Sequence, residues 1–181
     1  MKNIYAAALI ATMSLANAQV IIGDQIGTAP AGQKASVLLE FAAGQNKGII
    51  LPYLRTLPAT PSVGTIALDA TSATTARVKF YNGAWVDLSG QDGDITTILA
   101  TQPTVAQAPE SATAKSIIGA RSSAADGVLV LESTTKAMVL PTVSNVQNIP
   151  NPAPGMMVYV NTAGFKRLAV FNGTRWSYWK P

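Results

Sequence analysis

Ala169-Val170-Phe171-Asn172-Gly173-Thr174-Arg175-Trp176 reads as an apolar strand, a tight turn and the start of a returning strand. Asn-Gly tolerates the positive φ angles that a primed two-residue hairpin turn demands. The same grammar stands ninety residues earlier in Lys79-Phe80-Tyr81-Asn82-Gly83-Ala84-Trp85. The spacing predicts antiparallel strands over 76–81 and 85–88, and over 168–171 and 175–179. Along the last strand a period of two places Trp176, Tyr178 and Lys180 on one face, with Ser177 and Trp179 on the other.

Upstream of each hairpin the likeness continues in one order, which is the signature of an internal repeat. Ile21-Ile22-Gly23 matches Ile117-Ile118-Gly119, and Ser36-Val37-Leu38-Leu39-Glu40-Phe41 matches Asp126-Gly127-Val128-Leu129-Val130-Leu131. Lys47-Gly48-Ile49-Ile50-Leu51-Pro52 answers to Lys136-Ala137-Met138-Val139-Leu140-Pro141, and Gly64-Thr65-Ile66-Ala67-Leu68 to Gly155-Met156-Met157-Val158-Tyr159. β-branched and aromatic residues fill the short runs, and Gly, Pro and Asn separate them. Proline suits the ends of the aliphatic runs because it cannot donate to a β-ladder. The expected fold is all-β: two repeated small antiparallel β units with Asn-Gly hairpins, covering 19–89 and 117–181. Residues 90–116, rich in Thr, Ala, Gln and Pro, read as an irregular linker or arm with little apolar area to bury. Ile95-Thr96-Thr97-Ile98-Leu99 within it suits a short helix or a strand.

Residues 1–18 read as a secretory signal. Lys2 precedes an apolar run from Ile4 to Leu15, and Ala16-Asn17-Ala18 gives the small-x-small cleavage pattern. The run is shorter than the roughly 20 residues that span a bilayer, and no later segment is long and apolar enough to do so. The expected product is exported to the cell surface, the exterior or the periplasm. With 0 Cys, it must be held by packing, strand pairing or association instead of disulfides. Charged residues make up only 12%, about half the usual share of roughly 25%, so little charge repulsion opposes lateral contact. The net charge of +4 is scattered, with Lys166-Arg167 the one adjacent basic pair. Without a basic stripe to neutralise phosphates, nucleic acid is not an expected partner.

The second half, with Leu129–Lys136, Val139-Leu140-Pro141, Pro154–Tyr159 and Phe171–Trp176, resembles a repeat found in uncharacterised secreted proteins of flavobacteria and related Bacteroidota. In larger relatives that unit accompanies tail-fibre-like surface proteins. The resemblance implies a fibre or adhesin setting and names no activity.

Chemistry is scarce. The sequence has 0 His and 0 Cys, which removes the commonest general base, the usual nucleophile pairings and most transition-metal ligands. Glu40 and Glu132 do not fall at equivalent repeat positions and read as solvated strand-end acids, where a glycosidase needs two carboxylates facing across a cleft. Asp92-Gly93-Asp94 reads as a turn, since calcium takes six to eight oxygens and no further acid follows until Glu110. Gly23 to Gly27 lacks the Lys-Ser/Thr of a phosphate loop. Lys47 and Lys136, at matched positions before an aliphatic run, read as charges that discourage unwanted edge pairing. No catalytic residue, cofactor or metal is expected.

Tyr81, Trp85, Trp176, Tyr178 and Trp179 are the candidate contact residues. Such rings bury roughly 150–250 Å² each, and they suit a core or a subunit contact better than a sugar platform. Each half of the chain is of a size at which a lone core is marginal. Self-association into a homo-oligomer, in its sharpest form a trimer or fibre, is therefore the leading expectation. A secreted glycan-binding module using the aromatic hairpins is the alternative.

Overall fold

The computed structural model describes residues 19–111 and 113–179; residues 1–18, read above as a secretory signal, lie outside the described residues. β1 (Val20–Ile22) lies parallel to β2 (Val37–Phe41), and a 3-10 segment over Ala31–Ser36 precedes the second of these. β3 (Ile49–Ile50) and β4 (Tyr53–Leu54) follow, and β4 pairs in parallel with β5 (Ile66–Asp69). β6 (Arg77–Tyr81) and β7 (Trp85–Asp87) then extend that sheet as antiparallel neighbours. After a short helix, α1 (Thr96–Thr101), the series starts again. β8 (Ser116–Ile118) is parallel to β9 (Leu129–Leu131), and β10 (Ala137–Met138) leads to β11 (Thr142–Val143). β11 is parallel to β12 (Met156–Val160), and β13 (Arg167–Phe171) and β14 (Trp176–Trp179) close the sheet antiparallel.

The fold is all-β, as expected, but its units are mixed and not purely antiparallel. The connections 23–36 and 55–65 approach or exceed the dozen or so residues that a parallel crossover needs. Alternation of side chains reports which face is buried and is silent on the direction of the neighbouring strand. Pro52 and Pro141 mark the points where the chain leaves one sheet for another: β3 and β4 belong to different sheets, as do β10 and β11. Each proline gives its carbonyl to the new sheet, accepting from Leu68 N–H at 3.0 Å and from Tyr159 N–H at 2.9 Å.

The hairpin turns also differ from the expected two-residue form. Residues 82–84 separate β6 from β7, and 172–175 separate β13 from β14. Only the glycines take positive φ, 80° at Gly83 and 105° at Gly173. Asn172 stays out of the left-handed region because its side chain is otherwise engaged. It is buried, accepts from the Thr174 and Arg175 N–H groups and donates to the Gln91 carbonyl.

Two cores result. One gathers Leu68, Val78 and Leu88 from the first half with Met157 and Val170 from the second. The other packs Met156, Val158 and Ala169 on Val143, Val146 and Ile149. Both faces of β12 are thereby covered, which is why Met156-Met157-Val158-Tyr159-Val160 is nearly continuous in apolar character. Residues 90–116 are more than an arm. Ile95 and Leu99 are buried in the first core, four residues apart and so on one face of the helical turn. Among the described residues no helix is long and apolar enough to cross a membrane.

Candidate assembly surface

The two halves are joined through their shortest strands. β3 adds antiparallel to the edge of β12, pairing Ile49 with Met157 and Ile50 with Met156, and Leu51 N–H donates to the Gly155 carbonyl at 3.1 Å. β10 adds parallel to β2, pairing Ala137 with Val37 and Met138 with Leu39, and Val139 N–H donates to the Leu39 carbonyl at 2.8 Å. Gly48 permits the first of these approaches: a methyl group there would stand 2.9 Å from the Met157 carbonyl oxygen and collide with Met156 and Val158. Tyr53 ties the same junction from the other side by donating to the Pro154 carbonyl at 2.7 Å. Burial raises the pKa of that phenol, so it remains a donor.

The five aromatic candidates divide between the halves. Tyr81 and Trp85 stack edge-on, with centroids 5.5 Å apart, and the Trp85 indole lies 3.4 Å from the Pro58 carbonyl it donates to. Trp176 packs on Phe171 at 5.2 Å and covers the second core. Ungapped pairing of β13 with β14 preserves the alternation, so Trp176 and Trp179 face opposite ways. Trp179 donates to the Leu88 carbonyl at 2.9 Å, and Ser177 on the same face donates to the Ser89 carbonyl. Tyr178 faces away, under the Arg167 guanidinium at 4.6 Å; Phe165 lies on that cation at 5.4 Å. Tyr178 and Trp179 are the most exposed of the five. A shallow cavity of about 150 Å³ beside Tyr178 is lined by Asn145, Val160, Thr162 and Phe165 among others.

Several charged groups hold strands together. Burial works against ionisation of Asp69, yet hydrogen bonds from Lys79 and from the Thr71 hydroxyl and N–H, with the Lys79 charge, outweigh it and keep its pKa below the ordinary carboxylate value. Arg77 bridges Asp87 and Asp92 at 2.5 and 2.7 Å, contacts that favour its charged form. The Thr96 N–H and hydroxyl lower the pKa of Asp94, and Asp92-Gly93-Asp94 is not the turn expected, because Gly93 exchanges backbone hydrogen bonds with Ala76 as an antiparallel bridge. Glu40 is not the solvated strand-end acid its sequence position implied. It is buried in mid-strand, accepting from Gln19 at 2.5 Å, Ala29 N–H at 2.7 Å and Lys34 at 3.1 Å. Glu132 is exposed. Among the described residues no group of three or more acids could hold a metal ion.

Composition alone did not reveal the most telling surface. β2 and β9 occupy matching places, each parallel to its half's first strand with the same register, Leu39 opposite Val20 and Leu129 opposite Ser116. Leu38 and Leu39 are 2% and 0% exposed, whereas Val128 and Leu129 are 75% and 50% exposed. Two contacts separate them: β10 covers the edge of β2, and the Leu38 methyl groups lie against Gly119; among the described residues no strand covers the outer edge of β9. No curated protein and no solved structure matches the chain. Residues 117–180, which contain that uncovered edge, match the family described as phage tail like trimerisation region, a likeness that fits a fibre-like structural protein.

Proposed function

We propose that the chain is a non-enzymatic structural or adhesive component of a fibre-like assembly outside the cytoplasm, working as a homotrimer of two duplicated β units. The match of residues 117–180 to a trimerisation region is the observation that carries this reading. Three further features support it. The sequence of pairings in β1–β7, parallel twice and then antiparallel twice, recurs in β8–β14, as two copies of one unit require. An apolar strand edge is left exposed in the matched half. Asp69, Asp87, Asp92 and Glu40 are engaged in ion pairs that hold strands and their flanks. The signal-like sequence of residues 1–18 supports export, and Tyr178 and Trp179, at the exposed end of β14, serve as subunit or surface contacts.

Light scattering coupled to size exclusion on the chain from Gln19 onward tests the reading. A mass three times that of the single chain at micromolar concentration is expected. A monomer over the same range overturns it.

A further inference from the structure

The contact between the two halves of one chain is not a two-fold contact. The third strand of the first half, β3, adds to the fifth strand of the second, β12. A two-fold relation would put the third strand of the second half on the fifth strand of the first, because an isologous contact uses one patch from both sides. Instead β10 adds to the second strand of the first half, β2. The contact is heterologous, so each half carries faces that the chain leaves unused. Those left by the β10–β2 contact are the outer edge of β9 on the second half, the counterpart of the β2 edge, and the outer edge of β3 on the first, the counterpart of β10.

These two edges are complementary in apolar surface and in backbone polarity. Val128 and Leu129 stand 75% and 50% exposed on one, and Ile50 stands 54% exposed on the other. On β3 the Leu51 N–H points to β12, so strand alternation turns the Ile50 N–H outward. On β9 the Val128 carbonyl points to β8, accepting from Ser116 N–H at 2.8 Å, so the Leu129 carbonyl points outward. Ile50 and Leu129 are the counterparts of Val139 and Leu39, whose N–H and carbonyl already form the 2.8 Å bond between the halves.

We propose that β9 of one copy receives β3 of a second copy in parallel register, repeating between chains the handover that β10 makes to β2 within one chain. The inference rests on the self-association proposed above and specifies its interface. Gly48 then meets Gly127, Ile49 meets Leu129, and Ile50 N–H donates to the Leu129 carbonyl. The intrachain pairing of β3 with β12 persists in the assembly. Exchanging it for β10 of a neighbour would put Ala137 where Gly48 sits, and a methyl group there runs into Met156, Met157 and Val158. Each chain offers one donor edge and one acceptor edge, so the contact runs head to tail and closes as a ring in a trimer.

The absence of cysteine makes cross-linking clean. Ile49→Cys and Leu129→Cys, each made as a single variant on chains carrying tags of different length, are mixed and mildly oxidised. Opposed residues of adjacent strands lie within the 4.4–6.8 Å Cα separation that a disulfide accepts. The heterodisulfide is expected to dominate over both homodimers and over pairs with Val105→Cys, an exposed control in the segment 90–116. In parallel, Leu129→Glu is expected to lose the oligomer in light scattering while keeping the far-ultraviolet spectrum of the parent. A parent oligomer that gives no heterodisulfide above the control, or that survives Leu129→Glu, overturns this interface and leaves the trimer standing. A monomeric parent overturns both.

Discussion

Asp69 ends β5 with its carboxylate held by Lys79 at 2.7 Å and by the Thr71 hydroxyl at 2.7 Å. Its folded pKa lies below the ordinary value of 3.8, so the folded state prefers the ionised form more than the unfolded chain does. That stabilisation is fully present above the unfolded pKa and is lost as pH falls through the folded one. Asp69→Asn is therefore expected to lower the thermal midpoint at pH 7, by a free energy on the order of 1.5 kcal/mol for a charged hydrogen bond. Circular dichroism melts should show the gap to the parent closing as the pH falls below about 4; a gap independent of pH would remove the carboxylate from the account. Asp69 and Glu40 show where residue-level reading stops. Both look like surface acids in a list of scattered charges, and their roles depend on lysines that the fold brings to them, Lys79 from the adjacent strand and Lys34 from the 3-10 segment. Gly48 carried a readable signal, since its counterpart is Ala137, but the reason for the difference is the β12 backbone, over a hundred residues away.

Among the elements, the hairpins and the aliphatic runs were the most legible, because Asn-Gly and β-branched residues act locally. Partner direction was not legible: two-residue strands such as β3 and β10 carry no pattern, and their partners lie in the other half of the chain. At Ile95–Leu99 the sequence allowed the short helix that forms, but its burial was not legible, for a related reason. Its surroundings are polar, yet two of its side chains suffice to plug the core beneath β6, and Arg55 holds α1 in place by donating to the Leu99 carbonyl at 2.6 Å. Ile95→Ala is expected to destabilise by about 2–4 kcal/mol, the cost of a cavity under a fully buried aliphatic. Ile98→Ala, on the exposed side of the same helix, should stay within about 0.5 kcal/mol of the parent. Urea denaturation of the two variants decides it, and equal effects would return residues 90–116 to the status of a free arm.

At the scale of the whole molecule, the halves are not beads on a string. One core draws Leu68, Val78, Met157 and Val170 from both, and each half lends the other its third strand. A single calorimetric transition is expected under conditions where the chain is dilute enough to be monomeric, and two separated transitions would show that the shared strands contribute little. Association should be equally distinctive in its response to salt. The edges proposed to meet carry Val128, Leu129, Ile49 and Ile50 together with paired backbone groups, and the one charge pair at their end, Lys47 with Asp126, is exposed and worth little. Screening shortens the Debye length from about 10 Å at 0.1 M to about 3 Å at 1 M, which weakens attractions between charges and leaves apolar burial in place. Raising sodium chloride across that range should therefore leave the fraction of oligomer in sedimentation velocity nearly unchanged, and sulfate, which strengthens burial by exclusion from the surface, should increase it. Dissociation in 1 M sodium chloride would mean that charged groups such as Arg167 or Lys166, not the β9 edge, hold the copies together.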